Sequence, residues 1–345
     1  MGDTVTASST GSFPGPVRIG VIGAGAMGAA HVDTLARWVP GAQVVSVYDL
    51  DLGRAKSVAE SVGAEAASSA EALIDDPAVQ AVVVAAPDPL HEELALACLA
   101  AGKPTLLEKP LATSVEGSRR IVEAEVAVGR RLLQLGFMRR FDAAYLELRA
   151  AVLGGAVGQP RAVHCVHRNA EAHPAATSEG VLVNSAIHEF DCVPWLVDDR
   201  AEAVTVFAPK VSAGALHDVQ VAVLEMAGGA VVTVEVSVNA RYGYDIHTEV
   251  VGTAGTVSLT PPYGLSVRRD GLEGRQVGSD FVARFADAYR VELAAWVDGV
   301  RTGSLPAPSA WDGHLANLTA FAAVDSLHSG ARVAVPQESR PELYA

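Results

Sequence analysis

The chain has 345 residues, half of them hydrophobic, and a formal net charge of −14. That length predicts two domains with substantial cores. No apolar run approaches the roughly 20 residues of a membrane span, and the acidic balance without a basic stripe argues against nucleic acid and anionic membranes.

Residues 1–16 are rich in Gly, Ser, Thr and Pro, with no basic start and no apolar core. They read as a disordered tail, not a signal peptide. From Val17 a β-branched apolar run, Val-Arg-Ile-Gly-Val-Ile, predicts a buried parallel strand. It feeds Gly23-Ala-Gly25-Ala26-Met27-Gly28 and a helical run to about Val39. Gly23 allows a tight turn, Gly25 lets backbone approach a pyrophosphate, and Gly28 lets the helix pack closely on the strand. A second strand, Gln43–Tyr48, ends at Asp49, 21 residues after Gly28. A carboxylate there accepts hydrogen bonds from the adenosine ribose and repels a 2′-phosphate, so the cofactor expected is NAD. The competing reading is a plain βαβ unit with glycine turns.

The alternation continues with a helix over about Leu52–Val62, a short segment near Ser69–Ile74, and a buried strand, Ala81–Ala86, broken by Pro87-Asp-Pro89. A helix over His91–Ala101, a strand at Thr105–Leu107, a helix over Val115–Val128 and a sixth strand at Leu132–Phe137 follow. This predicts an α/β doubly wound Rossmann domain over residues 17–138.

Residues 139–345 change character. A helix over Ala143–Leu153 precedes a strand at Arg161–Arg168 and a helix at about Ser185–Leu196. Strand-like runs follow at Ala203–Ala208, Val219–Met226, Val231–Val238, Ile246–Val251, Thr256–Leu259 and Leu265–Arg268. Helices at about Phe281–Arg301 and Ser309–Ser329 close the chain. This predicts an α+β domain with one large, open, mostly antiparallel sheet, whose free face suits a second copy. Three widely spaced cysteines, Cys98, Cys165 and Cys192, make no CxxC, so buried reduced thiols of a soluble, cytoplasmic protein are expected. No HxxxH or similar spacing occurs, and no metal is expected. The usual motifs for acyl or phosphoryl transfer, G-x-S-x-G and the P-loop, are missing as well.

Three constellations carry chemistry. Glu108-Lys109-Pro110 lies at the carboxyl end of a parallel strand, where such sheets bind ligands. A lysine there steadies negative charge developing on a substrate oxygen, unless this is a plain surface turn. Asn184, His188 and Asp191 fall near one helical face at i, i+4 and i, i+7. His188 can take a hydroxyl proton, with Asp191 a candidate to hold its ring or, equally, to cap or pair elsewhere; a core or interface histidine is the alternative. His167 and Asn169 share a strand face that suits a ligand rich in hydroxyls, and Tyr242 and Tyr244 stand in the same relation. Met138 and Arg139, at the domain junction, are candidates to line the cleft. A polar strand end explains the strand pairs equally well.

With these residues in place the chain resembles the Gfo/Idh/MocA oxidoreductases, and within them the inositol 2-dehydrogenase branch. The likeness runs from about Val17 to the C-terminus. It is carried by Glu108-Lys-Pro-Leu-Ala-Thr, Gly136-Phe-Met-Arg-Arg-Phe-Asp, His164-Cys-Val-His-Arg-Asn, Ile187-His-Glu-Phe-Asp, Tyr242-Gly-Tyr-Asp and Ala310-Trp-Asp-Gly. It implies oxidation of one ring hydroxyl of myo-inositol to a keto-inositol by NAD, in a homo-oligomer, often a tetramer. By that resemblance Lys109 and His188 match the reacting centre, with Asn184 beside them. Met138, Arg139, His167, Asn169 and Tyr244 match positions around the cyclitol. Gly23, Gly25, Ala26, Met27, Gly28, Asp49, Pro87, His91, Glu108 and Lys109 match the cofactor side. One departure stands out: the family's Asp-x-x-x-His reads Asn184-Ser-Ala-Ile-His188 here. A neutral amide cannot supply the charge that stabilises an imidazolium. The enzyme is then slower, or uses Lys109 as its main base, or takes a substrate that brings the missing group; an aminocyclitol, whose ammonium or amine changes the charge balance in the pocket, is the variant to test first. A non-catalytic NAD-binding protein is the rival from another class.

Overall fold

The computed structural model describes residues 15–260, 266–275 and 277–345. Residues 1–14 of the expected tail and Leu265 of one expected strand lie outside the described residues. Among the described residues no helix is long and apolar enough to cross a membrane.

The first half alternates strand and helix: β1 (Val17–Ile22), α1 (Ala26–Trp38), β2 (Ala42–Tyr48), α2 (Leu52–Glu60), β3 (Glu65–Ala66), α3 (Ala70–Asp75), β4 (Ala81–Val84), α4 (His91–Ala100), β5 (Thr105–Glu108), α5 (Val115–Val128) and β6 (Leu133–Gly136). All the strands pair in parallel, in the order β3-β2-β1-β4-β5-β6. The order reverses between β1 and β4, which opens a crevice at their carboxyl ends. The two-residue β3 has no apolar run to announce it, which is why the sequence reading passed over it. Serines start two of the helices: Ser69 Oγ accepts from Ala72 N at 3.0 Å and Ser114 Oγ from Gly117 N at 2.9 Å. Each such cap contributes about 1 kcal/mol.

The second half holds α6 (Ala143–Leu153), β7 (Pro160–Arg168), α7 (Ser178–Gly180), a π-helical turn (Val181–Ala186), α8 (Ile187–Val197), β8 (Ala201–Phe207), β9 (Gln220–Met226), β10 (Val231–Ser237), β11 (Asp245–Gly252), β12 (Thr256–Ser258), β13 (Ser266–Arg269), β14 (Leu272–Arg275), α9 (Phe281–Arg284), α10 (Ala286–Thr302), α11 (Ala310–Ser329) and β15 (Val333–Ala334). Seven strands form one sheet, β12-β11-β7-β10-β9-β8-β15, antiparallel except for the parallel pair β7–β10. Alternation sets its inner face. Val232, Val234 and Val236 on β10 are fully buried with Phe190 and Val193 of α8 and Ala320 and Ala323 of α11. Burying each such valine contributes about 1.5–3 kcal/mol.

The expected boundary at residue 138 does not divide the packing cleanly. Helix α10 returns to the nucleotide-binding sheet, where Leu293, Trp296, Val297 and Val300 share a core with Val17, Ile19, Val21, Leu35 and Leu106. The cysteines are buried and unbridged, and burial pushes the Cys98 thiol up to about 11 and Cys192 up to about 12.

Candidate active site

The glycine loop follows directly from its sequence. Gly23 sits at φ +97°, and a Cβ there would lie 2.3 Å from the Ala85 carbonyl oxygen. A Cβ on Gly28 would come within 1.9 Å of the Gly23 carbonyl oxygen, so α1 meets β1 only without a side chain there. Gly25 is different: nothing lies within 4 Å of its Cβ position. It is the N-cap of α1 and provides no side-chain cap, so the first amides of the helix, from Ala26 and Met27 onward, face open space. That arrangement is an anion site.

Gly23, Gly25, Asp49 and Pro87 line one cavity of about 710 Å³ with Tyr48, Arg54 and Leu90. The Asp49 carboxylate accepts from Ala24 N at 2.7 Å and from Asp51 N at 2.8 Å, which fixes its orientation at the end of β2. Arg54 lies 3.7 Å from Asp49 and 3.5 Å from Asp51, its charge faced by two carboxylates.

At the end of β5 the buried Glu108 takes a hydrogen bond from the ring of His31 on α1 at 2.7 Å. Burial alone would raise its pKa, but the His31 contact and the charges of His31 and Lys109 hold it below the usual carboxylate range. Lys109 projects to the π-helical turn and donates from Nζ to the backbone oxygen of Asn184 at 3.1 Å. His188 follows one turn later, only 8% exposed. Burial first, then the positive charges of Arg139 and Lys109 and the nearby His167, drive its basicity well below the ordinary histidine value. Its Nδ1 is buried without a partner among the described residues, which leaves Nε2 as the accessible ring nitrogen. Lys109 and His188 therefore converge, with a cationic ammonium beside a neutral imidazole.

Around them stand Phe137, 6.1 Å from the His188 ring, and His167, 6.2 Å from it. Tyr244 meets His167 edge-on at 6.1 Å. Asn169 lies just past the end of β7, its backbone bonded to Ser237 and Ala240.

Several expected residues sit elsewhere. Asp191 does not hold His188: it accepts from Arg140 at 2.5 and 3.0 Å and lines a separate cavity of about 1100 Å³. Asn184 contributes its backbone to Lys109, and no hydrogen bond joins its side chain to His188 among the described residues. Arg139 is 1% exposed and does not line the cleft; it is ion-paired to Glu189, and its guanidinium lies 3.2 Å from His167 Nδ1. Met138, also 1% exposed, belongs to the core of the second domain. His91 is fully buried with its ring nitrogens 2.6 Å from the Pro110 oxygen and 2.9 Å from that of Ala86. It ties together the loops after β4 and β5 and has no polar atom left for a ligand. Tyr242 and Tyr244 do not share a face. Gly243, at φ +143°, breaks the alternation before β11, and Tyr242 bonds Asp245 and Arg168 at the surface.

Three partners had no signal in the sequence. His31 supports Glu108, Arg140 binds Asp191 and Asp312, and Glu189 accepts from His167 at 3.0 Å. Each acts across more than 20 residues of chain, beyond the reach of local spacing.

Residues 17–137 match a family model described as an oxidoreductase family with an NAD-binding Rossmann fold, and residues 145–258 match the Gfo/Idh/MocA C-terminal domain. The chain belongs to the Gfo/Idh/MocA oxidoreductases. It is 49% identical over 333 residues to inositol 2-dehydrogenase 1 of Saccharopolyspora erythraea, covering 95% of this chain and 99% of that one. It is 42% identical to an inositol 2-dehydrogenase of Rubrobacter xylanophilus, covering 95% and 96%. Among solved structures, a myo-inositol dehydrogenase from Lactobacillus casei in complex with NAD(H) and myo-inositol superimposes with a TM-score of 0.91 at 35% identity. That match covers 96% of this chain and 100% of the other. The cofactor of this Gfo/Idh/MocA dehydrogenase is NAD, and the residues present fit it. The uncapped helix start, the open space above Gly25 and the oriented Asp49 carboxylate are what a dinucleotide requires.

Proposed function

We propose that this dehydrogenase oxidises a ring hydroxyl of a cyclitol, converting myo-inositol to 2-keto-myo-inositol (scyllo-inosose). The observation that carries the reading is the convergence of Lys109 and His188 at the carboxyl end of β5. The relatives named inositol 2-dehydrogenase, at 49% and 42% identity, supply the substrate class.

In this reading Gly23, Gly25 and the first amides of α1 would hold the pyrophosphate and Asp49 the ribose. When bound, NAD supplies the acceptor for the hydride that leaves the ring carbon. His188 is neutral at physiological pH, so its accessible Nε2 is ready to take the hydroxyl proton. Lys109 stays close enough to steady the negative charge that gathers on the oxygen. The hydrogen bond between His167 Nδ1 and Glu189, 3.0 Å long, turns Nε2 of that ring toward other partners. Tyr244 and Asn169 complete a wall that suits the remaining hydroxyls. The open face of the seven-stranded sheet supports assembly as a homo-oligomer, and a tetramer in the cytoplasm is the form we propose.

The test is NADH production with a panel of cyclitols, aminocyclitols and sugars, run with NAD and with NADP. Turnover of myo-inositol with NAD supports the reading; no turnover of any cyclitol by protein that binds NAD refutes it. One observation favours a second substrate. With Asn184 in place of a carboxylate, His188 Nδ1 has no anionic partner among the described residues, and an aminocyclitol would change the charge balance of the pocket. Preference for an aminocyclitol over myo-inositol in the same panel decides between them.

A further inference from the structure

Eleven buried side-chain nitrogen and oxygen atoms lack a protein hydrogen-bond partner among the described residues, and six of them belong to one small region behind Lys109. They are His31 Nδ1 on α1, both amide atoms of Gln134 on β6, and both carboxyl oxygens of Glu292 with Trp296 Nε1 on α10. All four residues are at most 1% exposed.

The topology places them on one face of the nucleotide-binding sheet. Gln134 is the register partner of Leu106, and Leu106 packs in the same core as Leu293 and Trp296. Glu108 and Gly136, two residues further along each strand, share that face. The Glu108 carboxylate lies across Gly136, where a Cβ would be 2.9 Å from Oε2. Helix α10 packs against α1 here. Glu292 and Trp296 are one helical turn apart, and Tyr289 meets the His31 ring at 5.8 Å. The other nitrogen of His31 already bonds Glu108 at 2.7 Å.

A buried polar atom left without any partner is strongly destabilising, and six in one region would be exceptional in a folded protein. This set mixes donors, such as the indole and amide N–H groups, with acceptors, such as the amide and carboxyl oxygens. That mixture is what an internal water needs, with two to four polar partners each. We propose that these atoms coordinate a small group of internal water molecules, through which Glu292 acts as a positioning residue for Glu108 and hence for Lys109. The positioning role rests on the dehydrogenase reading; the hydration of the region does not.

The charges nearby decide the form of Glu292. The basic groups of the neighbouring elements are committed elsewhere: His31 to Glu108, Lys109 to Asn184, Arg139 to Glu189, and Arg140 to Asp191 and Asp312. Burial, then the negative charges of Glu108 and Asp191, push its carboxyl well above the usual range. Glu292 is therefore a neutral acid with an O–H to donate, and Glu108 is the ionised member of the pair. The water group passes that donated hydrogen bond toward Glu108 without adding a second negative charge beside it.

A high-resolution crystal structure of the full-length protein tests the first part. Ordered waters bridging Glu292, Gln134 and Trp296 are expected, and a dry pocket would overturn the proposal. Kinetics test the second. Glu292→Gln keeps a neutral group of the same shape, and should leave kcat within about twofold and the pH profile unmoved. Glu292→Leu should lower kcat about tenfold and displace the alkaline limb of the profile, with KM for NAD little changed. Gln134→Leu, which keeps the carboxyl, should show the same pattern more weakly and serves if the Glu292→Leu variant does not fold. Parental kinetics in both leucine variants would overturn the positioning role, and so would a Gln variant as damaged as the Leu one. Failure of the unsubstituted protein to oxidise any cyclitol would refute the function and leave the water result standing.

Discussion

Replacing Asn184 with aspartate introduces the carboxylate that the family resemblance implies four residues before the histidine. Asn184 precedes His188 by four residues, on a π-helical turn that runs into α8. Residues at that spacing lie about 5–6 Å apart at Cβ. A new carboxylate at about 5.5 Å, with an effective dielectric of about 20, stabilises the imidazolium by about 3 kcal/mol. That corresponds to about 2 pH units. The sign is upward: the imidazole is now driven well below its ordinary value by burial, Arg139, Lys109 and His167, and an anion opposes all of them. The acid limb of kcat/KM for myo-inositol should therefore move toward neutral pH by up to about 2 units. With about half of the stabilisation expressed in the transition state, kcat near neutral pH rises roughly tenfold. The assay is NADH formation at saturating NAD across pH, with NAD binding measured separately to confirm an intact fold. An acid limb that does not move, in a variant that still binds NAD, would refute the claim that the missing carboxylate leaves His188 weakly basic.

The glycine loop separates binding from folding. Gly25→Val should fold normally and bind NAD at least about tenfold more weakly by calorimetry, whereas Gly28→Ala, with its Cβ 1.9 Å from a carbonyl oxygen, should unfold at lower temperature. Lys109→Met should lower kcat by about 10²–10³ while NAD still binds, because the charge is needed at the transition state; equal losses in kcat and in NAD affinity would place it in cofactor binding alone. Arg139→Ala leaves Glu189 buried without its cation and should cost about 3–5 kcal/mol of stability by urea titration; Arg139→Ala with Glu189→Gln should recover part of it.

The nucleotide-binding half was legible because its signals are local. The strand, glycine turn, helix and Asp49 stand in a fixed spacing, and α5 runs over the expected span, Val115 to Val128, with Ser114 and Gly129 as its caps. The second half was legible as a series of strands. Its sheet is mixed, however, because β7 and β10 pair in parallel across more than sixty residues of chain, which no local pattern encodes. Within the site, Lys109 and His188 stood out because of their motifs. Arg139 misled for the opposite reason: a charged residue at a domain junction suggests a ligand contact, yet its partner, Glu189, lies fifty residues away. His91 misled in the same way, since two carbonyl partners on loops cannot be read from its place at the start of a helix.

Helix α10 closes the face of a sheet whose strands were laid down long before it. During synthesis, the hydrophobic underside made by Val17, Ile19, Val21 and Leu106 is covered only in part, by Val32 and Leu35 of α1, until Leu293 and Trp296 have left the ribosome, by which time most of the second domain has been made. The two halves of the molecule thus mature together, and a fragment cut at residue 138 would keep its glycine loop but expose the flank that α10 seals.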